Sequence, residues 1–262
     1  MIKNDDGLLL CARYAIAPNF LGYCGPRKSL SLIDHLKEKI IDEEVKKILF
    51  LFETMTPYLN LIARKNQMLQ PFNKQVVEAY WLGNHLLQPL TPFEFKAFAS
   101  EKLFLEKRAG KKGFISIIKK LYPKKIGKNS PFFLPHHAFH VFNIFKRTGA
   151  TNSLHNLDTM DHCRIGWGKV IGKNKKIKLE NLLVAAKPLL IKDDKLILGK
   201  PTIKEIKIDY RGKSFVGDLE VGDWVSFHWG YLCDKLTTRQ QKNLEYYTIK
   251  AIEFYNQTFI RD

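Results

Sequence analysis

Cysteine is scarce in this chain: four residues in 262, at positions 11, 24, 163 and 233, with no paired spacing. Disulfide-stapled secreted domains need more cysteines at closer intervals, so these four read as thiols or metal ligands in a reducing compartment. Long apolar runs are missing too, and no stretch approaches the roughly 18 uninterrupted apolar residues of a membrane-crossing helix. The opening residues Met1 to Asp6 place acids ahead of a short apolar run, and no small-residue cleavage site follows, which is unlike a secretory leader. A cytoplasmic location is expected. No repeat period appears, which excludes a solenoid. With 45% hydrophobic and 26% charged residues, the chain has ordinary globular composition and enough length for one large domain or two small ones.

Acidic residues are in deficit, with 26 Asp and Glu against 43 Lys and Arg, a formal net charge of +17. Much of the excess lies between Lys102 and Lys128, where ten basic residues face one acid, Glu106. Such a run suits nucleic acid, an acidic protein or simple solvation. Lys predominates over Arg here, so an acidic protein surface is the preferred partner over nucleic acid.

Taken in order, the chain changes character near its middle. Residues 7–27 read as a short helix entering a turn-rich loop around Cys24, where Gly22 and Gly25 permit a positive φ or close backbone approach. Val45, Ile48, Leu49, Phe52, Met55, Leu59 and Ile62 recur at steps of three and four, one helical stripe. A second helix is predicted over 73–87, and a third opens at Thr91-Pro92-Phe93-Glu94 with a capping box and a proline in its first turn. A fourth is predicted over 113–122. The aromatic segment 131–145 reads as a strand ending in a polar loop. Beyond Asp158, short apolar runs over 163–171, 182–186, 195–198, 203–210, 214–216 and 223–229, separated by turn residues, predict a small barrel, and a helix over 238–257 closes the chain. The predicted class is α+β: a helical domain over 1–130, a connecting strand and loop over 131–157, and a β-barrel with a C-terminal helix over 158–262.

Several residues have the chemistry of a site. Glu78, Trp81 and His85 share a face of the predicted second helix, where an acid and an imidazole could share a proton or bind a metal. His136 and His140, four apart, fall on one side of either a strand or a helix, and neutral imidazoles so placed suit iron or zinc. No carboxylate lies beside them in sequence to complete a two-His-one-carboxylate set. One reading is therefore a non-haem metalloenzyme using His136 and His140 with Glu78 or Cys24. Another is an RNA-binding module, because small barrels also bind nucleic acid.

Two motifs flank the barrel segment. Cys163-Arg164-Ile165-Gly166-Trp167-Gly168-Lys169-Val170 opens it, and Gly222-Asp223-Trp224-Val225-Ser226-Phe227-His228-Trp229-Gly230-Tyr231 closes it. In this order they resemble the signatures of the HypC/HupF-type [NiFe]-hydrogenase maturation chaperones, over roughly residues 158–250. The resemblance implies an OB-like barrel that carries an Fe(II) fragment bearing cyanide and carbon monoxide, and docks a maturation protein or the hydrogenase large subunit. It implies that Cys163 supplies a thiolate and that His228 lies beside it. Three departures stand out. The family's Cys follows the initiator Met, whereas Cys163 is internal, with His162 as a neighbouring nitrogen in place of the free amine. Trp167 replaces a proline, and residues 181–201 look like an added hairpin. Cys163 is expected to begin the first strand and His228 to end the last long one, strands that can be neighbours in a closed barrel.

Overall fold

The computed structural model describes residues 5–26, 29–122, 132–144, 156–176 and 179–258. Its first helix, α1 (Asp5–Phe20), is apolar on nearly every face, with Leu8, Cys11, Tyr14, Ile16 and Ala17 all buried. A helix apolar all round belongs inside a core, and α1 runs between the other helices and the barrel.

Helices α2 (Ser29–Glu38), α3 (Glu43–Phe50) and α5 (Lys74–Trp81) pack against it, and α4 (Met55–Lys65) packs on α5. The single stripe predicted from Val45 to Ile62 is two helices. The chain breaks after Phe50, and Thr56 Oγ1 takes up the freed Leu49 carbonyl at 3.1 Å. The stripe survives the break because Phe52, within it, is itself buried. Helix α5 ends six residues before the predicted Leu87, at Gly83, whose φ of 86° lets its N–H return to the Glu78 carbonyl at 2.9 Å. Helix α6 (Pro92–Glu101) carries the expected capping box, with Thr91 and Glu94 bonded reciprocally. Helix α7 (Leu105–Leu121) is kinked at Gly110 and exposes Lys107, Lys111, Lys112 and Lys119. Lys124, Lys125 and Lys128 of the basic run lie outside the described residues.

The segment expected as a strand is instead helix α8 (His137–Asn143), buried at every position. Among the described residues of the segment, only Phe133 keeps a β-bridge, to Leu90. Burial on all sides overrides the strand preference of its aromatics. Helix α9 (Leu157–Cys163) follows, so Cys163 ends a helix and does not begin a strand.

Strands β1 (Gly166–Lys176), β2 (Leu179–Ala186), β5 (Thr202–Lys207), β6 (Trp224–His228) and β7 (Tyr231–Leu236) close a barrel in the order β1-β2-β5-β7-β6. Its pairs are antiparallel except β5 with β7, parallel through Lys207 and Tyr231. The added hairpin is β3 (Leu189–Lys192) and β4 (Lys195–Leu198), turned by Asp193 and Asp194, both at positive φ. Residues 214–216 form no strand, and β7 lies beyond the last predicted strand, in a stretch for which none was expected.

Val170, Leu182, Val184, Ile206, Val225 and Leu232 fill the barrel. A second, larger core runs without interruption from α1 to α10 (Thr238–Thr258) and joins the helices to the outside of the barrel. Arg13 of α1 donates to both oxygens of Asp234 at 2.9 Å, and the Tyr14 hydroxyl bonds Ser226 Oγ at 2.8 Å. Helix α10 turns back onto α8, with Tyr247 donating to the Asn84 carbonyl at 2.8 Å. No helix among the described residues is long and apolar enough to cross a membrane.

Candidate metal centre

His228 is the last residue of β6, and Trp229-Gly230 turns the chain into β7. Both turn residues have positive φ, 51° and 75°. Two such residues in succession match the twist of a hairpin, and glycine takes the conformation without strain. The turn therefore fixes where the His228 side chain emerges. His228 Nδ1 lies 2.8 Å from the Tyr14 carbonyl, which can only accept, so Nδ1 carries the proton and Nε2 keeps its lone pair. That Nε2 is buried beside the Cys163 backbone and makes no hydrogen bond of good geometry among the described residues. Burial pushes the His228 pKa down to about 4, so the ring is neutral at physiological pH.

Cys163 reaches the same place from the opposite side of the β1–β6 seam, where Gly166 pairs with Phe227. An Asn156–Thr159 capping box starts its helix. Just beyond it, Arg164, 1% exposed, donates from Nε to Asp161 at 2.9 Å and from Nη2 to the Lys187 carbonyl at 2.6 Å. Lys204 and the Leu189 N–H complete the shell around Asp161. This buried charge network locks the α9–β1 corner and hence the Cys163 backbone.

The third member comes from the helical half. His137, at the first turn of α8, stands with Cys163 and His228 so that one donor atom from each lies within 4.8 Å of the others. Its Nε2 faces the Cys163 carbonyl at 2.8 Å and so carries the proton, while Nδ1 accepts from the Tyr80 hydroxyl at 3.1 Å. Burial, chiefly, holds its pKa well below the usual imidazole range. Two neutral imidazoles and a thiol offer two nitrogens and one sulfur, a set suited to zinc or iron, and the unpartnered Nε2 of His228 is a donor without an acceptor role inside the protein.

The three groups line a cavity of about 70 Å³ together with Cys24, Tyr80 and Trp81. At roughly 10–15 Å³ per water, this holds a few waters or one small ligand. No Asp, Glu, Lys or Arg lines it among the described residues. The Cys24 loop is held over it by Asn19, which donates to the Cys24 carbonyl at 2.9 Å. Gly25, at φ 78°, sits so close to Phe52 that a Cβ would meet the ring at 2.4 Å.

The other candidates scatter. His140 lines the cavity, with Nδ1 bonded to the Tyr58 hydroxyl at 3.1 Å. His136 does not share its side: it is the N-cap of α8, accepts from the Ala138 N–H at 3.2 Å and stacks on Tyr247. The expected His136–His140 pairing is not formed, because the helix begins only after His136. Glu78 turns towards α10, 3.4 Å from Gln240 Nε2, and His85 is exposed beyond the end of α5, so their predicted common face does not exist. His162 bends back to the Asp158 carbonyl at 2.9 Å and stands outside the cluster, contrary to its expected place beside Cys163. Sequence reasoning passed over His137 in favour of its neighbours four apart. The signal was Pro135-His136, a helix start that places His137 on the first turn. A second grouping, His35 with Asp42 and Glu44, is a surface N-cap, with Asp42 accepting from the Glu44 N–H at 2.9 Å and from His35 at 3.1 Å.

Fold and site together define a helical body joined to a five-stranded barrel, with an imidazole–thiol cluster at the junction. The chain belongs to a family of unknown function, DUF6390, whose sequence profile matches residues 3–262. No curated protein and no solved structure matches it.

Proposed function

We propose that this protein is a hydrogenase-maturation accessory protein of HypC type, acting in the cytoplasm, whose cargo is an Fe(II) fragment bearing cyanide and carbon monoxide. The observation that carries the reading is the approach of Cys163 and His228, residues from the two motifs, to within 4.8 Å at one cavity. Further support comes from the closed five-stranded barrel, whose strand order with a single parallel pair is that of an OB-like barrel.

The Cys163 thiolate is the soft donor that low-valent iron prefers, and the His228 lone pair is already oriented by its bond to Tyr14. Carbon monoxide and cyanide are small linear ligands, and the cavity of about 70 Å³ matches them in size. Transfer requires a partner, either another maturation protein or the hydrogenase large subunit. The exposed lysines of α7 would steer an acidic surface of that partner into encounter.

The test is anaerobic purification from cells that express hydrogenase-maturation proteins, with iron analysis and infrared spectroscopy in the cyanide and carbonyl stretching region. The wild type is expected to carry iron and show these bands, and Cys163→Ala to lose both. His136→Ala should keep them, whereas a metalloenzyme built on His136 and His140 would lose its metal with that variant. Wild-type protein with neither iron nor bands would overturn the proposal.

A further inference from the structure

The maturation reading uses one thiolate and one imidazole from the barrel motifs. The structure adds a donor that those motifs do not contain. His137 belongs to the helical half, yet its ring lies 5.3 Å from that of His228, centroid to centroid, and its Nε2 is 2.8 Å from the Cys163 carbonyl. Zinc or iron bonds of about 2.0–2.3 Å require donor atoms roughly 3.5 Å apart in a tetrahedron, so a 4.8 Å cluster needs only small side-chain shifts to close on one ion.

We infer that His137 is the third protein ligand of the Cys163–His228 site, and that the chain by itself holds a metal through two imidazoles and a thiolate, with the fourth position open to the cavity. The inference rests on the Cys163–His228 site of the maturation reading, but not on the identity of the cargo. Cys163 loses its thiol proton to solvent and binds as thiolate. His228 binds through Nε2, which already has its lone pair, while Nδ1–H stays on the Tyr14 carbonyl. His137 is neutral and exchanges tautomers: Nε2 gives up its proton and binds the metal, Nδ1 gains a proton, and the Tyr80 oxygen changes from donor to acceptor. Tyr80 can make that change because its side chain borders the cavity, where its own O–H can turn. The Cys163 carbonyl loses one hydrogen bond, a small loss beside the metal–imidazole bond that forms. Both imidazoles then have the same outer arrangement, an N–H held by a protein oxygen, which ordinarily orients a metal-bound histidine. Three protein ligands with a vacant fourth position, opening on a neutral cavity of about 70 Å³, select a small uncharged or diatomic ligand.

The experiment is titration of the purified, reduced full-length chain with Co(II). The near-ultraviolet thiolate-to-cobalt charge-transfer band reports Cys163, and the intensity of the visible bands reports four-coordination. Wild type is expected to show both. Cys163→Ser should lose the charge-transfer band, and His228→Gln should weaken binding at least 100-fold. His137→Gln keeps an N–H donor for the Cys163 carbonyl, so the apo protein should melt near the wild type, while Co(II) affinity falls and the visible bands weaken with the charge-transfer band retained. Tyr80→Phe should lower affinity by about tenfold, as loss of an outer-shell partner does, with the visible spectrum unchanged. Wild-type affinity and spectra in His137→Gln and Tyr80→Phe would overturn the third ligand and leave the Cys163–His228 site standing. Absence of a charge-transfer band in the wild type would overturn that site as well.

Discussion

The barrel has two contrasting sides. Its interior is apolar and closed, with Leu182, Val184 and Val225 fully buried. Where its outer rim meets the helices, imidazoles, a thiol and indole rings contributed from both sides surround a cavity. The interior is packed to one solution and holds nothing reactive. The rim leaves a donor unpaired and a space unfilled, departures from close packing that mark functional sites. The barrel is the frame, and the chemistry sits where the helices meet it.

The contrast can be broken most forcefully at the corner that joins the two sides. Arg164→Ala leaves Asp161 with only Lys204 as a charged partner and is expected to destabilise the fold by about 3–5 kcal/mol, as loss of one member of a buried ion pair does. Denaturant unfolding measures it, and Co(II) binding should fail with it because Cys163 is displaced. Next is Leu182→Ala, which opens a void inside the barrel at a cost of about 2–5 kcal/mol while Co(II) binding is retained in the folded fraction. Loss of metal binding without loss of stability there would erase the distinction between interior and rim.

Acid sharpens the comparison from the other side. His228 and His136 are buried neutral, with pKa values pushed down to about 4 and about 3. Unfolded imidazoles take up protons near 6.5, so the unfolded state binds more protons as pH falls below that value. Apo stability should therefore decline from about pH 6.5 down to about pH 4, His228 alone contributing roughly 3 kcal/mol at the limit. A His228→Gln variant should lose part of that acid sensitivity in melts across this range. Equal slopes for wild type and variant would show that the ring is not buried neutral. The smallest effect is expected on α7: neutralising Lys107, Lys111 and Lys112 should change stability by less than about 0.5 kcal/mol. Association with an acidic partner should nevertheless slow and lose part of its salt dependence.

How much of this was legible beforehand depends on whether the controlling contacts are local. The Thr91–Glu94 capping box and the Asp193–Asp194 hairpin turn follow from neighbours within four residues, and both were readable. The nearness of Cys163 and His228 followed from the resemblance and from barrel closure, although Cys163 sits one step earlier, at a helix end. Helix α8 was legible only in its start, Pro135-His136, a signal outweighed by aromatics that prefer strands when half-exposed and are helical here under total burial. His137 shared that obscurity. Its role depends on Tyr80 and Cys163, which are far away in the chain. The early end of α5 at Gly83 erased the Glu78–His85 face, since a helical projection presumes that the helix continues.

The bonds that tie α1 to the barrel also set an order of events during synthesis. Tyr14 waits for Ser226, 212 residues later, and its carbonyl waits for His228, 214 residues later. At translation rates of about 5–20 residues per second, the first helix spends roughly 10–40 s without its partners. His228 therefore acquires its orienting bond only when almost the whole chain has emerged. A chain cut between Cys163 and His228 has the thiol but not the oriented imidazole, so the cluster of His137, Cys163 and His228 comes together only once β6 has formed.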